Sequence, residues 1–223
     1  MKWREILGCL WSDDSAERVG PKFAPITHWH YVIPGFLQNR GTYDGSLDLW
    51  RKMCAAHYGP SEQVELCPWN TRWEAEAEFV YRFRGDVPGY PIVTIAAYSW
   101  GAGWGAMRFA RELGKRGIAV QSMVLSDPVY RHPLYSMRWL TLFRFPVISV
   151  PANVRSVRWF RQRDQWPWGH ELLAESQATR IHTPVVVTEC GHLGIDEYEP
   201  FHAAALDEAF LSHGSPERRA FGE

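Results

Sequence analysis

Residues 91–98 read PIVTIAAY, an apolar run of strand length with no polar face. A strand of this kind is buried on both sides, the habit of parallel sheets covered by helices. The rest of the chain repeats the theme. HWHYVI (28–33) reads as a strand stopped by Pro34-Gly35, and 63–67 and 120–125 read as two more. VRSVRWF (154–160) and TPVVVT (183–188) add further strands. Between them, Leu47, Trp50, Cys54 and His57 recur at helical spacing and predict a helix over 44–58. Thr71-Arg72-Trp73-Glu74 fits a capping box opening a helix to about Arg84. Ala106, Phe109, Ala110 and Leu113 mark a helix over 101–116 with Gly117 as its stop, and 199–211 reads as a closing helix. Strands alternating with helices predict an α/β fold with a mostly parallel central sheet and helices on both faces.

A chain of 223 residues, 46% hydrophobic, can build such a core in one domain. Residues 27–211 carry the periodic pattern. Residues 1–26 read as an N-terminal extension broken at Gly20-Pro21 and Pro25, and 212–223 as a loose polar tail. A net charge of −1 with both signs interspersed argues against nucleic acid as a partner. No apolar run reaches the roughly 18 residues of a spanning helix. The opening MKWREILGCLWSDD is too short in apolar residues for a secretory signal, so the expected location is cytoplasmic. Cys9, Cys54, Cys67 and Cys190 have no CxxC spacing, and neither a zinc site nor a disulfide framework is expected. His28 and His30 share one strand face, but no third ligand has matching spacing.

In a parallel sheet, sites form at the carboxyl ends of the strands. The polar residues just after the predicted strands are Ser99, Asp127, Asp164 and His192, in the order Ser, Asp, His. Taken singly each has an ordinary explanation: Ser in a strand-to-helix turn is a common N-cap, and Asp-Pro a common turn. Their coincidence carries the information.

With this order, and with Ala97-Tyr98-Ser99-Trp100-Gly101 at the strand-to-helix junction, the chain resembles the α/β-hydrolase superfamily, of the lipase and esterase kind. The likeness covers about 27–211. The elbow pattern G-x-S-x-G keeps its second glycine and has Ala97 for the first. The resemblance implies an α/β-hydrolase fold with Ser99 as nucleophile and His192, in a Gly-His-Leu-Gly loop, as base. Asp127 is the favoured acid and Asp164 the alternative. His170 precedes the last strand, where the triad order disfavours it. The oxyanion hole is expected from the backbone N–H of Trp100 and that of Phe36, with Leu37 as a further candidate. Leu37 and Trp104 are expected to line the substrate site. Residues 129–153, aromatic and basic, lie where the family often inserts a lid. A lid, an interfacial segment and a packed excursion all fit the composition. The activity implied is cleavage of a small-molecule carboxylic ester, apolar if that segment covers the site, with no metal or organic cofactor. The alternatives are thioester, acyl-transfer or peptide chemistry on the same triad, and a non-catalytic binding protein with the same fold.

Overall fold

The computed structural model describes residues 25–36, 38, 45–56, 59–84, 91–131 and 146–211. The predicted extension (all but its last two residues), Leu37, the tail and most of the predicted lid lie outside them. The elements run β1 His28–Ile33, α1 Gly45–Ala55, β2 Glu62–Leu66, α2 Trp73–Phe83 and β3 Ile92–Tyr98. A π-helical turn, Gly101–Gly105, then leads into α3 Ala106–Gly114. After it come β4 Val120–Ser126, β5 Val147–Val150, β6 Val154–Arg161 and β7 Glu171–Ala174. The chain closes with β8 Arg180–Ile181, β9 Val185–Val186, a single turn of 3-10 helix at Ile195–Glu197 and α4 Glu199–Leu211.

The central sheet has seven strands in the order β2-β1-β3-β4-β6-β8, with β9 also pairing β6. Every pairing is parallel. The expected α/β architecture with helices on both faces is what the chain adopts. Strand alternation sorts the side chains. On one face Trp29, Tyr31, Ile95 and Leu125 pack with Trp73, Val80, Phe109 and Leu113 of α2 and α3. On the other, Val32, Ala96, Val124 and Phe160 pack with Leu49, Phe201 and Ala205 of α1 and α4. His28 and His30 share that second face, 6.5 Å apart between ring centroids. His30 Nδ1 meets Thr94 Oγ1 of the neighbouring strand at 2.7 Å.

Several local expectations are corrected. Helix α2 is capped by Arg72, with no side-chain cap bond, so the box at Thr71 does not form. In its first turn Glu76 is buried and accepts from Tyr31 Oη at 2.9 Å. The run 183–188 pairs only at Val185–Val186, whose side chains stay about half exposed, because it grazes the end of β6. Strands β5 and β7 pair in a separate two-stranded sheet, in stretches where no strand is expected from the sequence. They alternate buried or half-buried with exposed residues over only four positions, too short for a clear period.

The first turn behind β3 is wide, and its glycines explain how it fits. A Cβ on Gly103 would overlap the carbonyl oxygen of Val129, and one on Gly101 would overlap those of Ile33 and Pro34. Gly59 has nothing within 4 Å of the same position. Gly103→Ala is therefore expected to destabilise the fold by about 1–3 kcal/mol. Gly59→Ala should stay within about 0.5 kcal/mol of the parent. Urea midpoints of the two variants read the difference directly.

Candidate active site

The carboxyl ends of β1, β3 and β4 converge, and so do the loops that follow them. At the end of β3 the chain reverses into the π turn through Ser99, whose φ is 53°. Left-handed backbone at a residue with a Cβ costs about 1–3 kcal/mol and persists only where the surroundings impose it. Here β3 is locked between β1 and β4, and Gly101 sits against the end of β1. The reversal holds the Ser99 side chain at the sheet edge, at the N-terminal end of the helix, where N–H groups have no intrahelical acceptor. Gly35 completes the crowding: its missing Cβ would lie 2.9 Å from Ser99 Cβ.

Asp127, the residue after β4, is the second non-glycine with positive φ, at 41°. Its N–H donates to Phe160 O at 2.8 Å, and its carboxylate is fully buried. Three groups meet that carboxylate. Gln162 N–H lies 3.2 Å from Oδ1, and Gln162 Nε2 donates to Oδ2 at 3.0 Å. His192 Nδ1 lies 2.6 Å from Oδ2. Gly169 packs so closely that a side chain there would run into Oδ1. On the other side of the imidazole, His192 Nε2 is 3.0 Å from Ser99 Oγ. With Nδ1–H donating to the carboxylate, Nε2 is the acceptor for the serine hydroxyl. Ser99, His192 and Asp127 thus form one continuous line, each nine-tenths or more buried. Asp164 lies in an exposed turn, where its N–H donates to Gln162 Oε1 at 3.0 Å. His170 is buried elsewhere, its Nδ1 accepting from Tyr130 N–H at 3.1 Å.

The loop bearing His192 is pinned from beneath. Tyr98 Oη donates to His192 O at 2.6 Å, and Ser126 Oγ donates to Ile195 O at 3.1 Å. Asp196, in the same loop, ties it to the turn after β1. Its Oδ2 accepts from Gln38 Nε2 at 2.6 Å and from Gly45 N–H at 3.0 Å. Gln38 Oε1 in turn accepts the N–H of Gly35 at 2.8 Å, next to Phe36. Behind Asp196, His202 Nε2 donates to its carbonyl at 2.6 Å, and Lys52 Nζ approaches Nδ1 at 3.1 Å. Burial, with a smaller contribution from the Lys52 charge, holds His202 below the ordinary histidine range. Burial also pushes up the thiol of Cys190, which precedes the His192 loop.

Phe36 and Trp100, the predicted oxyanion residues, touch through their rings at 4.5 Å, and Trp69 closes on both. Trp104 lies on the same helical turn as Trp100. The guanidinium of Arg131 sits over the rings of Trp69, Trp100 and Trp104. Phe36 is 45% exposed and Leu193, beside His192, 85% exposed, so the rim is apolar. The predicted set misses Tyr98, Gln38, Gln162, Asp196, Trp69 and Arg131. Only Tyr98 falls inside a motif, at an unspecified position of the elbow, and the other five sit in none. A cavity of about 310 Å³ lined by Arg84, Pro91, Gly117 and Arg155 lies at the opposite ends of the strands and includes none of the predicted residues.

No sequence-family model matches the chain, and no curated protein matches it. Among solved structures it is similar to one described as RedJ with a PEG molecule bound in the active site. The identity is 13%, over 90% of this chain and 95% of that one, with a TM-score of 0.41. No helix among the described residues is long and apolar enough to cross a membrane.

Two outcomes follow from the Asp196 network. Gln38→Ala removes the acceptor for Gly35 N–H and the donor to Asp196, and should speed amide hydrogen exchange at Gly35 and Phe36 more than at β1. His202, lowered in the fold, takes up its proton more readily in the unfolded chain. Its contribution is therefore complete above the unfolded value near ~6.5 and shrinks as pH falls from there towards the lower folded value. His202→Gln should flatten that part of the stability profile in urea titrations.

Proposed function

We propose that this chain is a serine hydrolase of the α/β-hydrolase kind that cleaves carboxylic esters, with Ser99 as nucleophile, His192 as base and Asp127 as orienting acid. The observation that carries the reading is the line from Ser99 Oγ to His192 Nε2, 3.0 Å, and from His192 Nδ1 to Asp127 Oδ2, 2.6 Å. A serine hydroxyl needs such a base, and the base needs a buried anion to fix its tautomer and stabilise the imidazolium. The left-handed backbone of Ser99 supports it further, because an elbow of this shape presents Oγ at a helix start.

The reaction runs in two halves. Ser99 Oγ attacks the ester carbonyl carbon as its proton passes to His192 Nε2. The carbonyl oxygen becomes an oxyanion facing the N–H groups of Trp100 and Phe36, each worth on the order of 3 kcal/mol in the transition state. The intermediate collapses, the alkoxide takes the proton from Nε2, and the alcohol leaves an acyl-Ser99. Water then repeats the attack with His192 as base. The carboxylic acid departs and Ser99 regains its proton. Asp127 stays ionised throughout and accepts from Nδ1–H. Gln162, donating to the same carboxylate, keeps it aimed at the ring.

Fluorophosphonate labelling with mass mapping tests the nucleophile. The adduct is expected on Ser99 and absent in Ser99→Ala. Failure of the folded protein to label would sink the reading. For the acid, Asp127→Asn should lower ester turnover by about 10⁴-fold. Asp164→Asn, at an exposed turn, should change it less than about threefold.

A further inference from the structure

Gly35 stands at the tightest point beside the nucleophile. A Cβ there would lie 2.9 Å from Ser99 Cβ and 2.9 Å from the Tyr98 ring, so the position takes glycine. The next N–H along the chain, that of Phe36, is one of the two proposed oxyanion donors. Its direction is set by the dihedral angles of Gly35, the residue type least able to hold them. With no side chain to pack, Gly35 is held through its backbone: its N–H donates to Gln38 Oε1 at 2.8 Å. Ser46 Oγ, at the start of α1, makes a longer contact with the same oxygen at 3.4 Å.

One bond to a rotating side chain holds little unless the far end of that side chain is fixed. Asp196 fixes it. Its Oδ2 accepts from Gln38 Nε2 at 2.6 Å and from Gly45 N–H at 3.0 Å. An ionised carboxylate only accepts, and a backbone N–H only donates. The Gln38 amide therefore has one orientation, with its NH2 towards Asp196 and its oxygen towards Gly35. Asp196 is 1% exposed, and a fold that buries a carboxylate must use its oxygens. The backbone of Asp196 is anchored as well, since His202 Nε2 donates to its carbonyl at 2.6 Å.

We propose, building on the serine-hydrolase reading, that Gln38 is a positioning residue of that reaction. Held by Asp196, it fixes the turn at Gly35 so that the Phe36 N–H is aimed at the oxyanion. Gln38 acts through Gly35 and not on the reacting atoms. A donor aimed at an oxyanion matters once the carbonyl carbon has become tetrahedral, so losing its aim lowers kcat and spares KM.

The test reads para-nitrophenyl butyrate turnover and the rate of fluorophosphonate labelling on the full chain. Gln38→Met keeps the length of the side chain and removes both hydrogen bonds. It should lower kcat by roughly tenfold to a hundredfold, no more than loss of a donor outright, with KM within about threefold of the parent. Labelling should slow in proportion. Gln38→Glu sets a second carboxyl against Asp196. While the pair holds a proton, the new carboxyl donates to Asp196 and accepts from Gly35 N–H, as the amide does. Once both groups ionise they repel. The variant-to-parent ratio of kcat should therefore be highest in acid and fall as pH rises through a value above the usual carboxylate range. His192 titrates in both proteins, and so do the groups around the pair: His202, with Lys52 and Asp48 beyond it, and Cys190 in the same loop. The ratio removes what they share. Adding Asp196→Asn to Gln38→Glu takes away the repulsion and should flatten the ratio.

A kcat within about threefold of the parent in Gln38→Met overturns the proposal, as does a loss confined to KM. A Gln38→Glu ratio that does not change with pH overturns it too, and decides alone if the thermal midpoint shows Gln38→Met unfolded. A folded parent that leaves Ser99 unlabelled sinks the serine-hydrolase reading, and the proposal with it. A parent that labels at Ser99 beside an unaffected Gln38→Met sinks the proposal alone.

Discussion

The reversal at Ser99 is the constraint on which the site depends. Strand β3 is hydrogen-bonded on both sides until Tyr98, and the chain then turns back within two residues. Such a turn leaves no room for side chains between the end of β1, the start of the helix and the segment after β4. Gly35, Gly101 and Gly103 occupy those points of approach, each against backbone or against Ser99 itself. The π turn follows from the same crowding, since a wider first turn lets the backbone clear Val129 before α3 begins. The conformational cost at Ser99 is met by the large buried faces of the sheet, where the strain is small beside the apolar area removed from water.

Asp127 repeats the device one strand along. It too sits just past a strand end with positive φ, and its carboxylate is enclosed by Gln162, His192 and the backbone at Gly169. A buried carboxylate is costly unless its lone pairs are used, and here the imidazole and the glutamine use them. Asp164, by contrast, faces water beyond β6. The two aspartates follow neighbouring strands in the sheet, β4 and β6, so order in the chain alone could not choose between them. What distinguishes them is the direction of the backbone on leaving each strand, a property of one left-handed residue.

The strands and helices that bury a continuous face were legible from their periodicity: β1, β3, β4, α1 and α4 fall close to their predicted bounds, and the helix read over 101–116 divides into the π turn and α3. So was the meeting of Ser99, Asp127 and His192, because a parallel sheet brings its strand ends together whatever the loops contain. Elements shorter than one period of the pattern were not. Val147–Val150 and Glu171–Ala174 pair with each other across a gap in the chain, and nothing local to either announces a partner. The capping box at Thr71 had the right letters, but the cap falls one residue on, at Arg72, with no side-chain cap bond.

The parts of the site that no motif announces are those built from distant residues. Gln38 and Asp196 meet across most of the chain, and the result is that the loop bearing His192 and the turn bearing Phe36 are one hydrogen-bonded unit. His192 and one proposed oxyanion donor are therefore linked through one set of hydrogen bonds. Tyr98 adds the strand that leads into Ser99 to that unit through His192 O. Arg131 and its three tryptophans occupy the remaining side, tied to Ser99 through Val129. The serine is thus framed by a rigid polar brace on one flank and a charged aromatic wall on the other. A frame of this kind joins distant parts of the chain around Ser99, and among the described residues its rim is apolar on both flanks, at Phe36 on the wall and at Leu193 beside His192.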